Sequence, residues 1–300
     1  MDHLLVLALF IAAVSVIAGA IGSLLGLGGG VVVIPILTLV LQIDIHLAIG
    51  ASIVSVIATS SGAAATFVRD RLTNLRVGMF LEIATTIGAI SGAFISGLLL
   101  GNALFIIFAL VLVYSIYPMS RRMIAERRLS RRQTAAEARP ANVPDEQPDR
   151  IATALGFEGS YYDPAAKREI TYRLRRVPLG FAFMYIAGIA SGLLGVGGGI
   201  FKVPAMDIAM GMPIKTSSAT STFMIGATAA ASAGIYFLRG NINPVIAAPV
   251  ALGVLVGSLI GTRLLERLAG DRVRMVFIVV IALTSVQMFL RGLGVHILGG

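Results

Sequence analysis

The chain has no cysteine, no tryptophan and three histidines, and only 13% of its 300 residues are charged. Without cysteine there is no disulfide framework, no thiolate metal site and no thiol nucleophile. His3, His46 and His296 lie near the ends of apolar runs. None stands at ligand spacing from another histidine or a carboxylate cluster, so neither a metal nor a cofactor is implied. The chain has no H-E-x-x-H, no G-x-S-x-G and no carboxylate pair with acid–base spacing, which argues against an enzyme. Scarce charge excludes a soluble domain, where about 25% of residues are charged, and a disordered chain. Against these absences stand 57% hydrophobic residues, a mean hydropathy of +0.90 and 34 glycines. This is the composition of an all-α polytopic membrane protein.

The few charges are unevenly placed. Residues 119–178 hold 13 of the 24 Lys/Arg and 8 of the 15 Asp/Glu. A net charge of +9 elsewhere suggests nucleic acid, but arginines flanking apolar runs mark the cytoplasmic side of a membrane, so no nucleic-acid partner is expected. Apolar runs occupy 4–21, 31–41, 48–68, 77–100, 103–117, 179–194, 203–212, 219–238, 244–265 and 273–290. Several reach the ~20 residues that span a ~30 Å hydrocarbon core; 31–41 and 203–212 do not. Met1-Asp2-His3 lacks a basic n-region, so the first run reads as a membrane helix and not as a signal peptide. In the charged segment, 119–138 reads as a helical extension and 140–148 as a proline break. Residues 161–163 and 170–174 read as a short hairpin around Pro164, or as plain linker.

The chain repeats itself. Gly22-Ser23-Leu24-Leu25-Gly26-Leu27-Gly28-Gly29-Gly30 with Pro35 aligns with Ser191-Gly192-Leu193-Leu194-Gly195-Val196-Gly197-Gly198-Gly199 with Pro204. Ile49-Gly50-Ala51-Ser52 aligns with Ser217-Ser218-Ala219-Thr220, and Gly88, Gly92, Ser96 with Gly253, Gly257, Gly261. Two homologous halves, 1–118 and 179–300, therefore flank a basic loop at 119–178. Equivalent linkers carry opposite charge signatures. The linker holding Arg69, Arg71 and Arg76 is matched by one with Arg239 alone. The uncharged Gly101-Asn102 linker is matched by one with Arg263, Arg267, Arg272 and Arg274. By the positive-inside rule these linkers lie on opposite sides, which predicts two inverted-topology repeats. Each would have a glycine-led broken or re-entrant hairpin plus three spanning helices, about ten helical segments in all. The loop is then cytoplasmic and both termini lie outside.

The glycine clusters carry the chemistry. Residues 25–30 and 194–199 each hold four glycines. Non-helical backbone in a bilayer is tolerated only where it is covered by protein or lines a watery cavity. A helix starting at Val31 or Ile200 would aim free N–H groups into such a break, which suits an anion. Gly26, Gly28, Gly29, Gly30, Gly195, Gly197, Gly198 and Gly199 are thus substrate-site candidates. Gly88/Gly92/Ser96 and Gly253/Gly257/Gly261 read instead as helix-packing stripes.

The paired G-x-L-x-G-x-G-G-G-x-x-x-x-P segments, ending Gly28-Gly29-Gly30…Pro35 and Gly197-Gly198-Gly199…Pro204, resemble the two signature segments of the TauE/SafE sulfite exporter family of integral membrane permeases. The resemblance covers nearly the whole chain outside the central loop. It implies transport of small sulfur-containing anions such as sulfite, sulfoacetate and other organosulfonates, or of other small organic acids.

Ionisable residues at membrane depth add candidates. Lys202, three residues after Gly199, either binds the anion or snorkels to the cytoplasmic interface. Glu82 and Asp207 are coupling-proton candidates or partners of nearby bases. Among the hydroxyls opening the third runs, Ser52 and Thr220 represent those that donate to an anion; Ser55, Ser217, Ser218, Ser221 and Thr222 are alternatives, and back-bonding to the helix is the competing role. The function expected is a secondary-active transporter in the inner membrane working by alternating access. The partners expected are a small anion and the lipid bilayer, with a homo-oligomer allowed. A permease for another anion, an anion channel and a sensor built on the loop are the competing readings.

Overall fold

The computed structural model describes residues 2–24, 30–116, 150–163, 168–265 and 270–295. The expected extension at 119–138, the proline break at 140–148, and Gly26, Gly28, Gly29 and His296 lie outside the described residues. The protein is mainly helical. In chain order the elements are α1 (Asp2–Leu24), α2 (Gly30–Pro35), α3 (Ile45–Arg69), α4 (Leu75–Ser96) and α5 (Gly101–Ile116). There follow α6 (Arg150–Ala154), β1 (Glu158–Asp163), β2 (Arg168–Arg173), α7 (Val177–Leu194), α8 (Gly199–Pro204), α9 (Ile214–Leu238), α10 (Pro244–Leu265) and α11 (Gly270–Gly292).

Local chemistry sets several boundaries. The Asp44 carboxylate accepts from His46 N at 2.8 Å, and the Asn74 side chain accepts from Val77 N at 3.1 Å, capping α3 and α4. Asn243 does the same for Val245 N at 2.9 Å where Pro244 opens α10. Both short helices end at a proline and widen at once into a π turn, Ile36–Val40 after Pro35 and Ala205–Ala209 after Pro204. Proline has no N–H and crowds the carbonyl four residues back, so the regular α ladder stops there. The two short apolar runs are therefore interrupted helices in both halves.

Five described helices are long and apolar enough to cross a bilayer: α3, α4, α7, α9 and Pro244–Gly261 of α10. Shorter apolar helices occupy Val6–Ile21, Gly30–Val40, Gly101–Ile116 and Ile278–Gly292. The outward side of α4 presents Met79, Ile83, Ile87, Ile90 and Phe94, all exposed. A continuous row of large apolar side chains on the outside suits lipid and not water. This is an all-α polytopic membrane protein.

The helices pair across the two halves. α4 packs on α7 in parallel, with Gly88 against Tyr185 O and Gly92 against Ile189 O. α1 packs on α10 in the same sense, with Gly253 against Ala12 O and Gly257 against Val16 O. A methyl group at any of these four glycines would sit 2.0–2.4 Å from a backbone oxygen. The stripes at Gly88/Gly92 and Gly253/Gly257 are thus backbone-to-backbone seams. α3 and α9 form a central antiparallel pair: Gly50 lies beside Asn241, and Ser60 beside Gly226.

The hairpin read from residues 161–174 exists and is longer than expected. β1 and β2 pair antiparallel with Tyr161 opposite Ile170 and Asp163 opposite Arg168. It sits on one end of the bundle. Asn74 Nδ2 donates to the Tyr172 hydroxyl at 3.0 Å, Arg76 donates to Gly156 O at 3.3 Å, and Arg175 N donates to Met210 O at 3.1 Å. Beneath it Phe157, Tyr172 and Leu174 join a buried cluster containing Met184, Met206, Met210, Met212 and Met224. The basic α3–α4 linker therefore shares an end of the molecule with the charged middle segment.

Candidate substrate site

The second glycine cluster breaks the chain as its sequence suggested. Gly195, Gly197 and Gly198 adopt φ of 66°, 76° and 72°, a left-handed backbone that side chains rarely accept. α7 ends at Gly195, whose N–H donates to Ser191 O at 2.8 Å, and α8 starts again four residues later. Gly30, which opens α2, faces the second break. A Cβ on Gly30 would lie 2.9 Å from Gly195 O and 2.6 Å from Ser52 Oγ. Ser52 Oγ donates to Gly195 O at 2.8 Å. A hydroxyl of the first half thus ties down a carbonyl of the second, and this is how Ser52 uses its single proton.

Lys202 projects from α8 and is fully buried, so it does not snorkel to an interface. Its ammonium donates to Thr228 Oγ1 of α9, at 2.5 Å. Thr228 Oγ1 in turn donates to Glu82 Oε1 of α4 at 2.7 Å. Thr86 also donates to Glu82 Oε1, at 3.2 Å, and Thr85 lies beside Thr228 at 3.4 Å. The other carboxylate oxygen, Oε2, is buried with no hydrogen-bond partner. Three elements, α4, α8 and α9, therefore assemble a cation–hydroxyl–carboxylate relay, its ammonium and hydroxyl buried and its carboxylate half-buried. Ser221 Oγ, also buried and without a partner, lies 3.7 Å from where a Gly199 Cβ would be.

The other expected residues are dispersed. Thr220 Oγ1 accepts from Asn74 N at 3.0 Å, two turns of α9 before Thr228 and toward the hairpin. Asp207 lies in the π turn after α8, half-buried. Ser55, Ser217 and Thr222 donate to the carbonyls of Ser52, Met212 and Ser218. These are back-bonds that satisfy a hydroxyl in an apolar setting. Thr228, Thr85 and Thr86 were not among the expected residues. Their signal was present: Thr85 and Thr86 follow Glu82 by three and four residues, the spacing of one helical face.

The sulfite exporter TauE/SafE family model matches residues 11–288. The chain belongs to the TauE/SafE family. It is 26% identical over 284 residues to the probable membrane transporter protein YunE of Bacillus subtilis (strain 168), covering 92% of this chain and 95% of that protein. It is 26% identical over 261 residues to a probable membrane transporter protein of Xylella fastidiosa (strain Temecula1 / ATCC 700964), covering 85% and 84%. The probable membrane transporter protein YdhB of Bacillus subtilis (strain 168) is 24% identical over 246 residues, covering 82% and 85%. No solved structure matches. This TauE/SafE chain is a multi-pass membrane transporter and not an enzyme.

Proposed function

We propose that the chain is a secondary-active transporter of small sulfur-containing anions, sulfite or organosulfonates, working by alternating access. The observation that carries this is Lys202: a fully buried ammonium three residues past a glycine break that the first half touches, through Gly30 and Ser52, at Gly195. A buried cation next to left-handed backbone offers charge and N–H donors to a small oxyanion without much desolvated competition. Gly26, Gly28, Gly29 and Gly30 of the first cluster and Gly195, Gly197, Gly198 and Gly199 of the second complete the proposed substrate-binding set. Ser52, within α3, and Thr220, within α9, are the hydroxyls of the proposed substrate-binding set. Glu82 and Asp207 are the coupling candidates.

Residues 1–118 and 179–300 are read as inverted repeats around a cytoplasmic loop at 119–178, in the inner membrane with both termini outside. The reciprocal α4–α7 and α1–α10 seams and the antiparallel α3–α9 pair support this, because an in-plane pseudo-two-fold generates such exchanges. Rocking of one half on the other about the α3–α9 pair would open Lys202 to either side.

A thermal-shift panel with sulfite, sulfoacetate, taurine, sulfate and short carboxylates tests the anion site. A ligand bound only by the folded protein raises its stability by RT ln(1 + [L]/Kd). Sulfonates are expected to stabilise the wild-type protein, and Lys202→Met is expected to abolish the shift. Equal stabilisation of both proteins, or of neither, contradicts the assignment.

A further inference from the structure

Resting on the transport reading above, the geometry points to electroneutral co-transport of one proton with each monovalent anion, the proton held on Glu82 and the exchange run through Thr228. The Thr228 hydroxyl has one proton and two well-placed acceptors, Glu82 Oε1 at 2.7 Å and Met224 O at 2.8 Å. With Glu82 ionised, Thr228 gives its proton to the carboxylate and accepts from Lys202. With Glu82 protonated, the carboxylic acid donates to Thr228, and the hydroxyl turns to the Met224 carbonyl. No heavy atom has to move for this rotation.

Charge balance supplies the coupling. Before an anion enters, Lys202 and an ionised Glu82 make a neutral pair, with Lys202 and the Glu82 Oε2 atom buried. Entry of a monovalent anion at Lys202 leaves one uncompensated negative charge in a medium where that is costly. Protonation of Glu82 from water cancels it. The loaded site then contains an ammonium, a bound anion and a carboxylic acid, again neutral.

The other charged and titratable groups around α4 are occupied elsewhere or remote. On α4 itself Arg76 donates to Gly156 O. α7 contributes Tyr185, whose backbone oxygen lies at Gly88, more than a turn from Glu82. α9 contributes Lys215 at its first turn and Tyr236, which donates to Gly192 O and Leu193 O. Arg239, just beyond α9, caps the Ala93 and Phe94 carbonyls at the far end of α4. Asp207 follows Lys202 by five residues in the π turn. The relay also breaks the repeat: the positions equivalent to Lys202, Glu82 and Thr228 are Val33, Ala247 and Ser60. One ionisable set, not two, implies one proton per cycle.

The test uses methanesulfonate, which stays singly charged across the working range. Wild-type protein is expected to bind it about tenfold more tightly for each unit of pH drop over the range where binding takes up one proton per anion. In proteoliposomes an acid-outside gradient should drive uptake with one proton per anion, and clamping the voltage should not change the rate. Glu82→Gln is expected to bind at all pH values, to retain anion exchange and to lose net uptake. Thr228→Ser should keep the wild-type pH profile and Thr228→Val should displace it. Wild-type binding that is equal at pH 6 and pH 8, or net uptake undiminished in the glutamine variant, overturns the coupling while transport stands. Absence of methanesulfonate binding and flux in wild type at every pH overturns the transport reading as well.

Discussion

The seam between α4 and α7 makes a quantitative demand. Gly92 lies so close to α7 that an added Cβ would stand 2.1 Å from Ile189 O and 2.9 Å from Ile189 C. Both atoms belong to backbone, so no side chain can swing aside. Restoring ordinary contact needs the two helices to part by about 1.3 Å, and gaps of 0.5–1 Å already forfeit a quarter to a half of each dispersion contact. Gly92→Ala is therefore expected to destabilise by about 2–3 kcal/mol, at the upper part of the usual range for overpacking. Gly62, in the exposed part of α3, meets nothing within 4 Å. There the same substitution gains helix propensity, up to about 1 kcal/mol. The assay is reversible unfolding of the detergent-solubilised protein, both variants beside wild type. If Gly92→Ala and Gly62→Ala unfold alike, the seam does not hold the halves together and the packing argument fails.

Three further outcomes follow from single contacts. Ser52→Ala removes the hydroxyl on Gly195 O and is expected to cost about 1–2 kcal/mol, with faster amide exchange across 195–199 as the local readout. Arg239→Ala uncovers the carbonyls of Ala93 and Phe94 and leaves the Phe94 ring without its guanidinium. A loss of about 1–3 kcal/mol is expected, and Arg239→Lys should recover only part of it because a lysine cannot fork across both carbonyls. The Tyr172 hydroxyl is held above the ordinary tyrosine range mainly by burial, against the lowering influence of Asn74 and Thr216. A raised acid favours the folded state's neutral form, so hairpin docking is fully present below about pH 10 and is lost as pH rises further. Limited proteolysis of the loop should show this dependence, and Tyr172→Phe should flatten it.

Much of the fold was legible because membrane solvent imposes a strict code. Apolar runs became helices; the short run 31–41 became α2 and its π turn, and the short run 203–212 became the end of α8 and its π turn. The hairpin was expected at 161–163 and 170–174 around Pro164, with plain linker as the alternative, and its full pairing of 158–163 with 168–173 was not legible. The site was read in part. Lys202 and Glu82 stood out as ions in apolar runs, but their link through Thr228 joins residues 26 and 146 positions apart, which no local pattern encodes. Ser52 stood out as a hydroxyl near the break. Its actual acceptor, Gly195 O, is visible only once the halves dock. The hydroxyls of Ser55, Ser217 and Thr222 could not be told from ligands by sequence, because back-bonding depends on each side chain's rotamer.

The central claim is that an anion crosses through the buried site at Lys202 by alternating access. Flux of a labelled organosulfonate into proteoliposomes, paired with electrical recording of the same preparation, tests it most directly. Saturable uptake, accelerated by the anion on the opposite side, without unitary currents, and lost when Gly197 is replaced by a bulky residue that still inserts, is the result expected. Non-saturating flux with unitary currents, or unimpaired transport in the Gly197 variant, would contradict it.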